Sequence, residues 1–110
     1  RKDDYVGQLS KFIKRGGSRE GQIVDRLLFA AMIEARSCER FKMLSERIED
    51  ADLAEFYREL MISEAGHYTT FLKLARKYGG GIDVDARWQE CLEFEADIIQ
   101  NYGKKETMHG

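Results

Sequence analysis

Residues 33–68 read IEARSCERFKMLSERIEDADLAEFYRELMISEAGHY. Apolar positions recur every three or four residues on both sides of the acidic break at Glu49, Asp50 and Asp52, which is the period of amphipathic helices. Extended backwards, the pattern places Val24, Leu27, Ala31, Glu34, Cys38 and Phe41 on one stripe of a helix expected over residues 21–49. Extended forwards, it places Leu53, Tyr57, Leu60, Glu64, His67, Phe71, Leu74 and Tyr78 on the stripe of a second helix ending near residue 78. Asp52 with Glu55 resembles a capping box that uses Asp in place of Ser or Thr. Each helix would be roughly 40 Å long. The short connection makes them an antiparallel pair.

The flanks add two shorter helices. Tyr5, Leu9, Phe12 and Ile13 are spaced i, i+4, i+7, i+8, so residues 3–15 should form a short amphipathic helix, followed by a break at Gly16, Gly17 and Ser18. Three glycines at 79–81 stop the second long helix. Asp83 or Asp85 caps a fourth helix that ends near Tyr102, with Trp88, Leu92, Ile99 and Tyr102 on its stripe and Glu95 interrupting it. Trp88 is expected to anchor the core, with stacking on a substrate base as the alternative, and residues 104–110, which lack periodicity, to form a loop. The fold class is all-α, an antiparallel helix bundle in one domain.

Composition agrees. The chain has 110 residues, 35% of them charged, and no proline, which favours long helices over a loop-rich fold. A net charge of −2 argues against coating nucleic acid by bulk charge while leaving room for a local basic patch. No apolar run reaches the roughly 20 residues that span a membrane, and no signal peptide is visible at the start. Cys38 and Cys91 lack C-x-x-C spacing and are expected as reduced thiols, in keeping with a cytoplasmic protein.

Three polar residues stand where the helix pattern calls for core residues. Glu64 and His67 are spaced i, i+3, so they share a helical face, and Glu34 sits mid-stripe on the facing helix. An ionised carboxylate buried without a partner costs several kcal/mol, so Glu34 should be paired, protonated or bound to a cation. Carboxylates with an imidazole suit iron, manganese or zinc. Bundles that hold two irons use a Glu from each of two helices and a Glu-x-x-His from each of two others. A purely structural role, with Glu34 or Glu64 hydrogen-bonded to His67, Tyr57 or an arginine, stays open on pattern alone. Glu39, near the edge of the apolar face, and Glu95 are secondary candidates as ligands. Arg36 and Arg40 are read as solvent-exposed or salt-bridged to a neighbouring helix. Lys11, Lys14, Arg15 and Arg19 form the densest basic cluster, either a solvated face or a contact for a phosphate backbone.

The wording of these helices resembles a known family. Val24-Asp25-Arg26-Leu27-Leu28 and Ile33-Glu34-Ala35-Arg36-Ser37-Cys38-Glu39-Arg40-Phe41 look like the third bundle helix of tRNA hydroxylases of the MiaE type. Ser63-Glu64-Ala65-Gly66-His67-Tyr68 looks like the fourth, and Arg87-Trp88 and the closing Met108-His109-Gly110 also fit. The resemblance implies a ferritin-like bundle with two non-haem iron ions. It further implies O2-dependent hydroxylation of the isopentenyl group of a 2-methylthio-isopentenyl-adenosine next to the tRNA anticodon. By position, Glu34, Glu64 and His67 would be iron ligands, and the basic cluster would face the anticodon arm. A redox partner would deliver electrons.

The family's other Glu and other Glu-x-x-His belong to helices upstream of the region matched. This chain has no second E-x-x-H, and its other histidine is His109. Residues 1–110 are therefore expected to be the C-terminal part of a longer di-iron domain carrying half a site, inactive alone. The alternative is a ferritin-like iron-binding or iron-oxidising protein whose site assembles across a homodimer.

Overall fold

A computed structural model of the chain describes the backbone of residues 2–13 and 17–109 and the side chains of residues 4–13 and 17–101. Four helices follow in order, α1 (Lys2–Ser10), α2 (Arg19–Arg47), α3 (Ala51–Tyr78) and α4 (Val84–His109), with no strand among the described residues. The protein is an all-α helix bundle.

Local chemistry sets the helix ends. The Ser18 hydroxyl caps α2 by accepting from the Gly21 N–H at 3.0 Å. Ile48, Glu49 and Asp50 make the turn, and Asp50 caps α3, its carboxylate accepting from the N–H groups of Asp52 and Leu53. Asp50, rather than Asp52, is thus the cap, because it is the residue with extended backbone just before the helix. Asp83 caps α4 through the Ala86 N–H at 3.0 Å, which leaves Asp85 free to pair with Arg76. Between α3 and α4 two of the three glycines are required. A side chain at Gly79 would start 2.7 Å from the Ala75 carbonyl oxygen and 3.0 Å from a Val24 methyl, and Gly80 has φ of 59°.

Two ends differ from expectation. α1 stops at Ser10 because the chain tightens into three-residue turns at Lys11 and Phe12. That turn swings Phe12 inward, edge-on to Phe94 at 5.6 Å and beneath the Arg87 guanidinium at 3.8 Å. Helix α4 continues through Gly103 to His109 where a loop was expected, since no proline or capping group interrupts it.

α2 is packed on two sides. With α3 it forms an antiparallel hairpin in which Cys38 meets Met61, Phe41 stacks near Tyr57 at 6.0 Å, and Glu34 faces Glu64 and His67. One cluster joins Val24, Leu28 and Ala31 to Leu72 and Ala75 of α3 and Val84 of α4. A second joins Met32 to Leu9 and Phe12 at the end of α1, and to Cys91 and Ile98 of α4. Trp88 packs against both, as an anchor should. The buried face of α4 is therefore Cys91, Glu95 and Ile98, and Ile99, placed on the stripe from sequence, is 53% exposed.

Two part-buried ion pairs, each with a buried carboxylate, tie the distant helices. Asp25 of α2 receives two hydrogen bonds from Arg87 of α4, at 2.7 and 3.0 Å. Arg36 of α2 grips both oxygens of Glu95 at 2.6 Å, and the Tyr5 hydroxyl of α1 donates to the same carboxylate at 2.6 Å. Burial alone would raise the Glu95 carboxyl; the hydrogen bonds from Arg36 and Tyr5 and the Arg36 charge outweigh it and hold it below the usual carboxylate range. Burial and the neighbouring Glu95 push the Cys91 thiol up to about 12, and Cys38 and Cys91 are both free thiols, as expected.

α3 is covered on one side. Its buried residues are Leu72 and Ala75, whereas Leu53, Phe56 and Tyr78 are 47%, 51% and 53% exposed. The radius of gyration is 16.1 Å, against about 13 Å for a compact domain of this length. The stripe expected to be core is thus the rim of an uncovered face, because α2 packs along one side of α3 and, among the described residues, α4 touches its C-terminal half, at Tyr68, Leu72, Ala75 and Arg76.

Glu95 yields a pH prediction. Its folded value lies below its unfolded one, so its contribution to stability is full above roughly pH 4.5 and is lost as pH falls through the folded value. Glu95→Gln should cost about 2 kcal/mol at pH 7 and flatten the acid limb of stability against pH, measured by urea unfolding. An acid limb of unchanged slope would refute the assignment. Thiol labelling of the native protein should spare Cys91 until the chain unfolds; rapid native labelling there would contradict the packing.

Candidate metal centre

Glu34, Glu64 and His67 meet at the middle of the α2–α3 hairpin. Each offers one ligand atom, and these atoms all lie within 4.8 Å of one another. The meeting follows from local geometry. Glu64 and His67 lie one turn apart on the same face of α3, and the antiparallel register brings Glu34 opposite both. The His67 Nδ1 is 3.7 Å from a Glu34 oxygen and 4.0 Å from a Glu64 oxygen, beyond hydrogen-bond reach in both cases.

The donor set fits a cation. Glu34 Oε2 is buried and has no hydrogen-bond partner. Orphaned buried carboxylate oxygens are rare, since the desolvation they suffer is normally repaid by a donor or a metal. Two carboxylates this close also repel each other unless positive charge lies between them. The three residues are not deeply buried, however. The side chains of Glu34 and Glu64 are 24% and 20% exposed, and that of His67 is 58% exposed. The expectation of a fully core-facing triad is therefore corrected: it opens onto the uncovered face of α3. Oxygen and nitrogen donors without thiolate suit iron, manganese or zinc, and Cys38 is turned away onto the Met61 carbonyl.

The secondary candidates lie elsewhere. Glu39 is exposed and pairs with Arg36 at 2.9 Å. Glu95 is buried, but both its oxygens are taken by Arg36 and Tyr5. Arg36, read from sequence as solvated or bridged, is bridged, and Arg40 is exposed. Of the basic cluster, Lys11 and Arg19 are exposed, while Lys14 and Arg15 lie outside the described residues. The Arg36–Glu95–Tyr5 and Asp25–Arg87 networks escaped the sequence reading. The one signal for the first was a Glu interrupting the α4 stripe, with nothing to point to its partner some 60 positions away.

Comparison with known proteins converges on one family. The family model described as tRNA-(MS[2]IO[6]A)-hydroxylase (MiaE) matches residues 2–110. A tRNA 2-(methylsulfanyl)-N(6)-isopentenyladenosine(37) hydroxylase of Pseudomonas putida is 43% identical over 89 residues, covering 80% of this chain and 42% of that protein. The protein of the same name from Salmonella typhimurium is 41% identical over 87 residues, covering 79% of this chain and 32% of its own length. The chain thus spans less than half the length of these relatives. No solved structure matches it. With a family model matched along nearly its whole length, the chain belongs to the MiaE family of tRNA hydroxylases.

Proposed function

We propose that this chain is part of an oxygen-dependent tRNA-modifying hydroxylase, acting on the isopentenyl group of 2-methylthio-isopentenyl-adenosine beside the anticodon, and that it supplies half the ligands of a di-iron site in a ferritin-like bundle. The convergence of Glu34, Glu64 and His67, with one carboxylate oxygen left unsatisfied, carries this reading. The names of the two relatives support the substrate class.

The roles follow from position. Glu64 and His67, one turn apart, would grip one ion from α3, and Glu34 would reach it or a second ion from α2. Bound iron would supply the activation of O2, which with two electrons and two protons places one oxygen atom in a C–H bond of the prenyl group and releases the other as water. The hairpin holds the three donors in register through the packing of Ala31 and Tyr68 nearby. The half-open rim of α3 leaves the ligand set accessible from one face. That openness also favours a second reading, in which two copies of the chain meet there and the protein binds or oxidises iron without RNA.

Metal binding tests the site directly. Titration with Fe(II) or Co(II) should show binding that falls by at least 10–100-fold in Glu64→Ala and in His67→Ala, with helicity by circular dichroism retained. Equal metal content in both variants and the parent removes these residues as ligands. Activity separates the two readings. With a reductant and O2, and with the second Glu and Glu-x-x-His supplied, prenylated tRNA should gain one oxygen atom by mass spectrometry. A protein that oxidises Fe(II) yet leaves the tRNA unchanged would shift the assignment to the iron-oxidising reading.

A further inference from the structure

The described arginines divide into two groups. Arg36, Arg58, Arg76 and Arg87 are each ion-paired, with Glu39 and Glu95, Glu55, Asp85, and Asp25 and Glu90 respectively. Arg19, Arg26, Arg40 and Arg47 are exposed and make no ion pair or hydrogen bond among the described residues. All four of the unpaired group lie on α2, and Arg19 and Arg47 are its first and last residues. They fall on a seven-residue series whose middle position is Ile33.

Seven residues are two helical turns less about 20°, so the four arginines form one slowly winding ridge. Successive positions of the series stand about 10 Å apart, and the ridge runs for roughly 40 Å. No glutamate or aspartate occupies a helical position three or four residues from any of the arginines. The one acid three residues beyond Arg47 is Asp50, outside α2, and its carboxylate is spent on capping α3. Four exposed, strongly charged side chains thus share one ridge of α2 with no ion pair among the described residues, although acids outnumber bases in the chain.

We propose that the Arg19, Arg26, Arg40 and Arg47 ridge of α2 is the surface along which the phosphate backbone of an RNA lies; this rests on the tRNA-modifying reading above. The guanidinium is planar, permanently charged and forked, which suits phosphate oxygens bidentately. A duplex strand presents a phosphate about every 3 Å along its axis, so arginines about 10 Å or more apart each meet a separate one. A regular ridge of this length matches a long periodic polyanion better than the compact acidic patch of a folded protein. Ile33, at the middle of the series, packs against the cluster shared with α1 and α4, and the next residue, Glu34, stands about 100° further round α2 at the metal centre. The ridge shares Arg19 with the basic cluster read from the sequence and extends from there along α2.

Fluorescence anisotropy with an anticodon-arm RNA, at several salt concentrations, tests the ridge. The triple variant Arg26→Gln, Arg40→Gln, Arg47→Gln should bind at least 10-fold more weakly at low salt. Its slope of log affinity against log salt should be shallower by about 2–3, since each phosphate left without its arginine removes about 0.7–0.9 from the slope. The double variant Arg58→Gln, Arg76→Gln, which removes paired arginines from α3, should keep the parent slope. Circular dichroism monitors the fold of both variants. The proposal is overturned by an unchanged slope in the triple variant, by an equal weakening in the control, by a parent chain that binds no RNA, or by polyglutamate binding as tightly as RNA. The substrate reading is judged separately, by preference for an arm carrying 2-methylthio-isopentenyl-adenosine over the unmodified arm. Phosphate contacts do not read the base, so absence of that preference counts against the substrate and leaves the slope to decide the ridge.

Discussion

Helix α2 must be buried from two directions at once, and the remaining structure is arranged around that demand. Val24 and Ala31 turn towards α3, while Met32 turns towards α1 and α4. A helix with apolar residues over so wide an arc is unstable alone and cannot be satisfied by a single neighbour. The hairpin with α3 covers one flank, and the return of α4 across the other, with α1 laid against it, covers the second. Fixing α2 from both sides is what gives Glu34 a defined position opposite Glu64 and His67.

The two part-buried ion pairs complete this arrangement where apolar packing cannot reach. Asp25 and Arg36 point away from α3, and each draws a residue of α4 against α2. Such pairs are weak sources of stability compared with apolar contacts of the same volume, because two charges must be desolvated. Their directional hydrogen bonds instead select one rotation and one height of α4. Tyr5 adds α1 to the same point, so three helices share one carboxylate.

Much of this was legible in the sequence, and the reasons are local. The two long helices, their antiparallel pairing and the approach of Glu34 to Glu64 and His67 all follow from periodicity plus a short turn. What the pattern misjudged was depth. Periodicity says which side chains share a face; it does not say whether another element covers that face. The row through Leu53, His67 and Tyr78 accordingly read as core and lies half in solvent. Long-range partners were equally out of reach. The Arg36–Glu95 contact joins residues 59 positions apart and has no spacing to betray it, and Glu95 consequently read as an echo of a ligand. The end of α1 was missed for a different reason, since Phe12 left the helical path to fill a gap against Phe94 and Arg87.

The corner at Gly79 has a consequence for the whole second layer. A single hydrogen there lets the start of α4 settle against Val24, with a Val84 methyl at 3.3 Å from where a side chain would begin. Helices are stiff along their length, so the height at which α4 leaves this corner is carried undiminished to Cys91 and Glu95, several turns away. The width of one atom at position 79 therefore governs whether the carboxylate of Glu95 arrives level with the fork of Arg36. A methyl group at position 79 would have to displace the Ala75 carbonyl or the Val24 side chain, and the departure of α4 with it.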